Sequence, residues 1–476
     1  MTRKGVTIPL ALLICPFLGG SCSRLEERGG VTAERPPNVV IIFADDLGYG
    51  DLGCYGHPTI RTPHIDRMAA EGQKWTNFYA EARVCSPSRA ALLTGRMHVR
   101  SGMYGKESAV FFPDSPTGIP ADEITLAEAL KQQGYATGIV GKWHLGDAPE
   151  YLPNAHGFDY WLGLPYSNDM NMVVPRDRGF QTEAYYQPKS EYWDVPLMRN
   201  GEIVERPVNQ ATLTKRYTEE ALRFIKENKE SPFFLYVPHT MPHIPLFRSE
   251  EFVGKSMGGI YGDVIEEIDW SVGRILDALL GEGLAENTLV VLSSDNGPWL
   301  TFGKHGGSPG PLRDGKGTTW EGGMRVPGIF WWPGTIKPGI VMDMGSTLDV
   351  FATALELAGA AAPSDRTMDG LDLRPVLFGT GPSPRDVMFY YRWDELYAVR
   401  KGMFKAHFIT QGAFDDGVPR VVHDPPLLYH LGDDPGERFN VAEQYPDVLS
   451  EIVALAKAHR ETMEIGEPLF DGRVQE

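Results

Sequence analysis

Residues 83–96 read RVCSPSRAALLTGR, and they set one thiol, Cys85, beside a Ser-Pro and four residues ahead of Arg89. Proline is favoured in the first turn of a helix, so Pro87 predicts a helix start with Cys85 at or near its N-terminus. Unpaired N–H groups and the positive end of the helix dipole favour negative charge there. Arg89 falls one turn on along the same face. Taken alone, these residues describe a thiolate nucleophile in an anion site.

Other stretches add different chemistry. ADDLGYGD sets Asp45 beside Asp46, and SSDNG sets Asp295 beside Asn296. A lone Asp-Asp is most simply a solvated turn. The second acid–amide pair, behind a second apolar run, reverses that preference, because gathered carboxylates repel unless a cation holds them. Oxygen donors without thiolate or clustered imidazole favour Ca²⁺ or Mg²⁺ over zinc. GKWHLG supplies Lys142 and His144, which two-residue alternation would put on one side of an extended segment. GKGTTWEGGMRVPG supplies Lys316 in a Gly-rich loop whose N–H groups can approach an oxyanion. HTMPH has the His-x₃-His spacing of a zinc pair, His239 and His243. Pro238, Pro242 and Pro245 deny it a helical face. The segment therefore reads as a loop in which His243 is either an anion-binding or acid group or a surface histidine. A cysteine protease would need a His-Asn partnership and no metal cluster, so metal-assisted oxyanion transfer fits these residues better.

The elements that must position these groups alternate. NVVIIFADD, ATGIVGKWHLG, PFFLYVPHTMPHIP, NTLVVLSSDNG and VPGIFWWPG read as strands. TPHIDRMAAEG, TLAEALKQQGY, LTKRYTEEALRFIKENKE, GDVIEEIDWSVGRILDALLGEGL and STLDVFATALELAG read as helices. Such alternation predicts an α/β fold with a mostly parallel central sheet flanked by helices. In these sheets function collects at the carboxyl ends of the strands. Asp45, Asp46, Lys142, His144, His239, His243, Asp295 and Asn296 all follow a predicted strand. From about residue 385 short strands follow one another and a helix closes the chain. The expected organisation is 31–384 for the catalytic domain and 385–476 for a smaller antiparallel sheet plus helix.

A net charge of −18 over 476 residues argues against nucleic acid as a partner. An anionic substrate would need its cations gathered in one pocket. Arg3 and Lys4, a short apolar run and GGSCS predict an export signal over residues 1–30. It is either of the lipoprotein type, with a lipid anchor at Cys22, or an ordinary cleaved signal. Either way the mature chain keeps only Cys54 and Cys85 of four cysteines, too few for a disulfide framework. Cys54 is expected to be packing.

Cys-x-Pro-x-Arg followed by AALLTGR resembles the signature of the type I sulfatases. The likeness extends through DDLGYGDLGCYGHP, GKWHLG, HGFDYWLGLPYSNDMN, SSDNGP, GKGTTWEGGMRVPGIFWWPG and LYHLGDDPGERFN. It is nearest to the arylsulfatase A and N-acetylgalactosamine-6-sulfatase branch. The resemblance implies an alkaline-phosphatase-like fold and a sulfuric ester hydrolase acting on a sulfated carbohydrate or aryl sulfate. The alternative is a phosphatase or phosphonate hydrolase on the same fold. It implies that Cys85 becomes Cα-formylglycine, whose hydrate is the nucleophile and a metal ligand, and that Asp45, Asp46, Asp295 and Asn296 hold one Ca²⁺. Arg89 would orient the formylglycine, and Lys142 and Lys316 would hold sulfate oxygens. His144 would relay a proton, His243 would contact sulfate and protonate the leaving oxygen, and Ser167 would touch sulfate or substrate. His239 and His305 receive no role. A formylglycine-generating or anaerobic sulfatase-maturing enzyme is the implied partner, and a bacterial periplasm, cell envelope or extracellular space the implied setting. The aromatic residues of YWLGLPYSNDMN and EAYYQPKSEYW either flank a sugar pocket or pack the core.

Overall fold

A computed structural model describes residues 35–175, 182–414 and 417–472. The expected export signal, with Cys15 and Cys22, lies outside them. The chain forms strands β1 (Asn38–Ala44), β2 (Gln73–Tyr79), β3 (Ala136–Val140), β4 (Tyr160–Gly163), β5 (Leu197–Arg199), β6 (Glu202–Glu205) and β7 (Phe233–Pro238). It continues with β8 (Thr288–Ser294), β9 (Arg325–Trp331), β10 (Gly339–Ser346), β11 (Val387–Arg392), β12 (Glu395–Lys401), β13 (Phe404–Thr410) and β14 (Val421–His430). Ten of these form one sheet in the order β10-β2-β9-β8-β1-β7-β3-β4-β5-β6, and β11 to β14 form a second.

β1 shows why the large sheet is central. Its seven residues NVVIIFA are all buried, as expected of a strand covered on both faces. Val40, Ile42 and Ala44 enter one apolar cluster, while Val39, Ile41 and Phe43 enter the other, following the two-residue alternation of a strand. Helices Pro63–Glu71, Leu213–Glu227 and Gly259–Gly281 contribute to the first cluster. Cys85–Thr94, Leu126–Lys131 and Thr347–Ala358 contribute to the second. β1 is parallel to β7 and β8, and β3 is parallel to β7 and β4.

The mostly parallel α/β expectation holds, with antiparallel additions. β9 is antiparallel to β8 and β2, and β5 and β6 form a hairpin on β4. β2 and β10, which pair in parallel, carry no strand pattern that the sequence reading recognised. β10 begins exposed and has a register shift, so it lacks a clean alternation. The second sheet is antiparallel throughout and packs the helix Pro446–Thr462 through Ile452 and Ala456. Ala91, Met97 and Val99 join that same core. The small sheet is therefore tied to the segment running out of the Cys85 helix. Among the described residues no helix is long and apolar enough to cross a membrane.

Candidate active site

The carboxyl ends of β1 and β8 lie side by side, with Ala44 opposite Ser294, so Asp45 and Asp46 meet Asp295 and Asn296. The Asp46 amide donates to Asp295 Oδ1 at 3.1 Å, and Asn296 Nδ2 donates to Asp46 Oδ1 at 2.7 Å. Cys85 is the first residue of its helix, preceded by extended Val84. Its Sγ lies 3.3 Å from Asp45 Oδ1. One ligand atom from each of Asp45, Asp46, Cys85 and His243 falls within 4.8 Å of the others, and all four residues are buried.

Three cations face the three acids. Arg89 donates from Nε and Nη2 to Asp295 Oδ2 at 3.1 and 2.9 Å and from Nη1 to the Lys142 carbonyl at 2.9 Å. Lys142 Nζ bonds Asp45 Oδ2 and lies 3.1 Å from Ser167 Oγ. Lys316 Nζ reaches Asp46 Oδ2 at 2.9 Å and sits 4.2 Å from the centre of the Trp299 ring. Glycine makes the Lys316 loop feasible. Gly317 has φ +91°, and a Cβ at Gly297 would meet the Gly322 carbonyl at 1.7 Å.

Burial opposes the ionisation of Asp45, yet the Lys142 ammonium and the Arg89 guanidinium hold its carboxyl well below the usual range. Asp295 goes the other way: burial and then Asp45 push it up to about 7 against the pull of Arg89. Burial and then Asp45 also push the Cys85 thiol well up. This corrects the thiolate reading of residues 83–96. The helix start does not win against desolvation and a carboxylate at 3.3 Å, and Arg89 is engaged by Asp295.

Both histidines are neutral, pushed well below their ordinary range by burial first and by lysines second. Each carries its proton on the nitrogen that faces a carbonyl, because a carbonyl only accepts. For His144 that is Nε2, 2.9 Å from the Phe111 oxygen, leaving a buried Nδ1 without a partner. For His243 it is Nδ1, 2.6 Å from the Ile244 oxygen, leaving Nε2 at 3.7 Å from Asp46 Oδ2 and 3.4 Å from Ser167 Oγ. The alternation argument for Lys142 and His144 fails. β3 ends at Val140, and His144 has φ +65°, so a turned loop delivers both side chains.

The sequence candidates Asp45, Asp46, Cys85, Arg89, Lys142, His144, Ser167, His243, Asp295, Asn296 and Lys316 are all buried; contacts link all but the His144 side chain into one site, and the His144 ring is close enough to feel the charges of Lys142, Arg89 and Asp45. His239 stands apart, with Nε2 3.4 Å from Ser271 Oγ, and burial pushes it down to about 4. His305 packs on Tyr186. Cys54 is half-buried, with its thiol pushed up to about 12 by burial and Asp66. Trp161, Tyr166, Tyr185 and Trp193 are core, which decides most of the aromatic question in favour of packing. Sequence reasoning passed over Trp299, half-buried beside His243 with ring centres 5.4 Å apart. Its position three residues after Asn296 was the available signal.

The cluster can hold a hard cation. Asn296 Oδ1 is buried without a partner, and Asp45 and Asp46 add carboxylate oxygens at the same place. Oxygen donors of this kind suit Ca²⁺.

Comparison with known proteins places these features. The Sulfatase family profile matches residues 37–360, and that of the C-terminal region of aryl-sulfatase matches residues 383–474. Arylsulfatase A of Bos taurus is 43% identical over 455 residues, covering 90% of this chain and 88% of that protein. N-acetylgalactosamine-6-sulfatase of Canis lupus familiaris is 42% identical over 477 residues, covering 92% and 89%. Among solved structures, the PsFucS1 sulfatase from Pseudoalteromonas sp. superposes with TM-score 0.81 at 30% identity, covering 92% of each chain. Ps i-CgsB in complex with k-i-k-neocarrahexaose gives TM-score 0.77 at 28% identity, covering 92% and 96%. A phosphonate monoester hydrolase of Agrobacterium radiobacter shares the fold at 22% identity and TM-score 0.60.

Proposed function

Because the chain belongs to the sulfatase family and is a sulfuric ester hydrolase, we propose that it removes sulfate from a sulfated carbohydrate, with an aldehyde made from Cys85 and a calcium ion beside it. The observation that carries this reading is the buried meeting of Asp45, Asp46, Cys85 and His243, with Asn296 Oδ1 unpartnered at its edge. Calcium would be held by Asp45, Asp46, Asp295, Asn296 and the side chain of residue 85. The formylglycine hydrate supplies a nucleophilic oxygen whose ionised form the metal favours.

The chain's own groups do the rest. Lys142 Nζ and Lys316 Nζ bracket the cluster and hold two oxygens of the transferred group, where charge develops. Arg89 fixes Asp295 and leans on Asp45 at 3.5 Å, which keeps the acids from drifting apart. His144 Nδ1 is a buried base suited to taking a proton from the residue-85 hydroxyl. His243 Nε2 is the nitrogen able to pick up a proton and hand it to the leaving oxygen. Ser167 Oγ spans Lys142 and His243 and orients both toward one anion.

The carbohydrate assignment draws on the relative named N-acetylgalactosamine-6-sulfatase and the neocarrahexaose complex. The proposal includes export, with or without a lipid on Cys22, conversion of Cys85 by a formylglycine-generating or anaerobic maturing enzyme, and the division into 31–384 and 385–476. Its test is a screen of defined sulfated mono- and oligosaccharides with formylglycine-bearing protein, beside aryl sulfate and aryl phosphate. Release of sulfate from a saccharide is expected. Turnover of aryl sulfate alone would remove the carbohydrate assignment, and a strong preference for phosphate would remove the sulfatase mechanism.

A further inference from the structure

A closed ring of contacts borders the two lysines. Ser167 Oγ lies 3.4 Å from both nitrogens of His243. His243 packs on Trp299 at 5.4 Å, Trp299 on Phe302 at 5.0 Å and Phe302 on Tyr185 at 5.3 Å between ring centres. The Tyr185 hydroxyl donates to Asp169 Oδ2 at 3.4 Å, and the Ser167 hydroxyl also supports the Asp169 carboxylate. The ring touches the anion-holding groups on two sides, through Ser167 to Lys142 and through Trp299 to Lys316. A group esterified to a sulfate held by those lysines therefore has this ring as a neighbour.

Ser167, His243, Tyr185 and Phe302 are at most 3% exposed. The members that keep solvent-facing surface are Asp169 and Trp299, both half-buried. One is a carboxylate able to accept hydrogen bonds from two hydroxyls; the other is an indole with an apolar face. That pair matches the two surfaces of a sugar ring, its polar edge and its C–H face. A fixed carboxylate beside the sulfate pocket also repels any second anion on the same ring. Asp169 is not drawn into the cation cluster: no ion pair joins it to Lys142 or Lys316 among the described residues, and the lysines only temper the upward push that burial gives its carboxyl.

We propose that Asp169 and Trp299 form the sugar subsite next to the scissile sulfate, and that Asp169 restricts it to a sugar ring bearing a single sulfate and free hydroxyls. This rests on the carbohydrate reading above and narrows it.

The experiment compares formylglycine-bearing native protein with Asp169→Asn and Trp299→Ala on hexose and N-acetylhexosamine monosulfates, their disulfated counterparts and para-nitrophenyl sulfate. For Asp169→Asn the ratio of kcat/KM for monosulfated sugar to that for aryl sulfate is expected to fall about tenfold, because the hydroxyl acceptor is weakened. Its ratio for disulfated over monosulfated sugar is expected to rise about tenfold, a gain that general damage to the fold would not produce. Trp299→Ala is expected to lose monosulfated sugar without that gain. Equal losses on all three substrate classes, or both Asp169→Asn ratios staying within about twofold of native, would overturn the subsite while leaving the carbohydrate assignment in place. Native protein that turns over aryl sulfate and no saccharide would overturn both.

Discussion

Asp46 is held at φ +67°, a conformation that Asp tolerates better than most residues but that still costs of order 1 kcal/mol. The strain has a visible return: the carboxylate reaches Asn296 Nδ2 and Lys316 Nζ together. Asp45, one residue back, takes Lys142 and contacts Cys85. Two successive acids thus serve two lysines, and the chemistry is concentrated at residue 85 between them. Cys85→Ala is expected to lower turnover of any sulfate ester at least about 1,000-fold, since removing a nucleophile removes the step itself. Undiminished turnover, or peptide mass spectrometry showing an intact thiol in competent protein, would refute the aldehyde. Calcium enters as a separate expectation. Stripping protein with a chelator should lower both Tm and activity, because an ion bound only by the folded state stabilises it by mass action. Calcium should restore both; full activity at chelator excess, with unchanged Tm, would show that the oxygen cluster holds no metal.

At the scale of elements, the strands that deliver these acids were legible and the turns that aim the side chains were not. β1 and β8 announce themselves as apolar runs ending in Asp-Asp and Asp-Asn. The left-handed turn at His144 and the contact of Lys142 with the end of β1 depend on long-range packing, so alternation along GKWHLG expected the two together for the wrong local reason. A helix junction shows the same dependence and gives a pH prediction. Asp269, 3% exposed in the helix Gly259–Gly281, accepts from the His64 and Ile65 amides at 3.0 and 2.8 Å and so caps the start of Pro63–Glu71 from outside. Burial pushes its carboxyl up to about 7, with backbone donors pulling down and the acids Asp66 and Glu266 adding to the rise. The folded state therefore holds a proton that the unfolded chain releases near pH 4. Stability contributed by this group is full below that pH, falls as pH rises toward 7, and stays lost above. Both amides use Oδ1, an acceptor that asparagine keeps. Asp269→Asn should match native stability near pH 4 and exceed it above pH 7 by up to about 4 kcal/mol, the equivalent of a three-unit difference. Denaturant titrations at the two pH values check this; an advantage confined to acid would reverse the sign and reject it.

Across the whole molecule, the change of texture near residue 385 was readable, but what the later segment does for the site was not. Lys405 and His407 stand on β13 and Glu437 follows β14, all at 0% exposure. Lys405 Nζ donates to the Thr319 carbonyl at 2.8 Å and to Glu321 Oε1 at 2.9 Å. Glu437 Oε2 accepts from the Glu321 amide at 2.6 Å, and its Oε1 takes His407 Nε2 at 2.7 Å. Arg313 reaches the Glu437 carbonyl from the other side of the loop at 2.8 Å. The backbone on both flanks of Lys316 is thus moored to the small sheet, and Glu437 sits at φ +49° to do it. No motif in FKAHFIT or DDPGERFN advertises this, because the partners are separated by about a hundred residues and meet only in the packed structure. Lys405→Met would leave Glu321 with Arg325 but remove the donor to Thr319 and the ammonium that lies 3.2 Å from Glu437 Oε1. Breaking a buried pair in this way costs about 3–5 kcal/mol, so Tm should fall. If the mooring positions Lys316, kcat on a sulfate ester should also fall about tenfold when assayed well below the new Tm, with the loss concentrated in kcat because Lys316 acts on charge that develops in the transition state. A lowered Tm with native kcat and KM at that temperature would reduce the small sheet to a support and free the Lys316 loop from it.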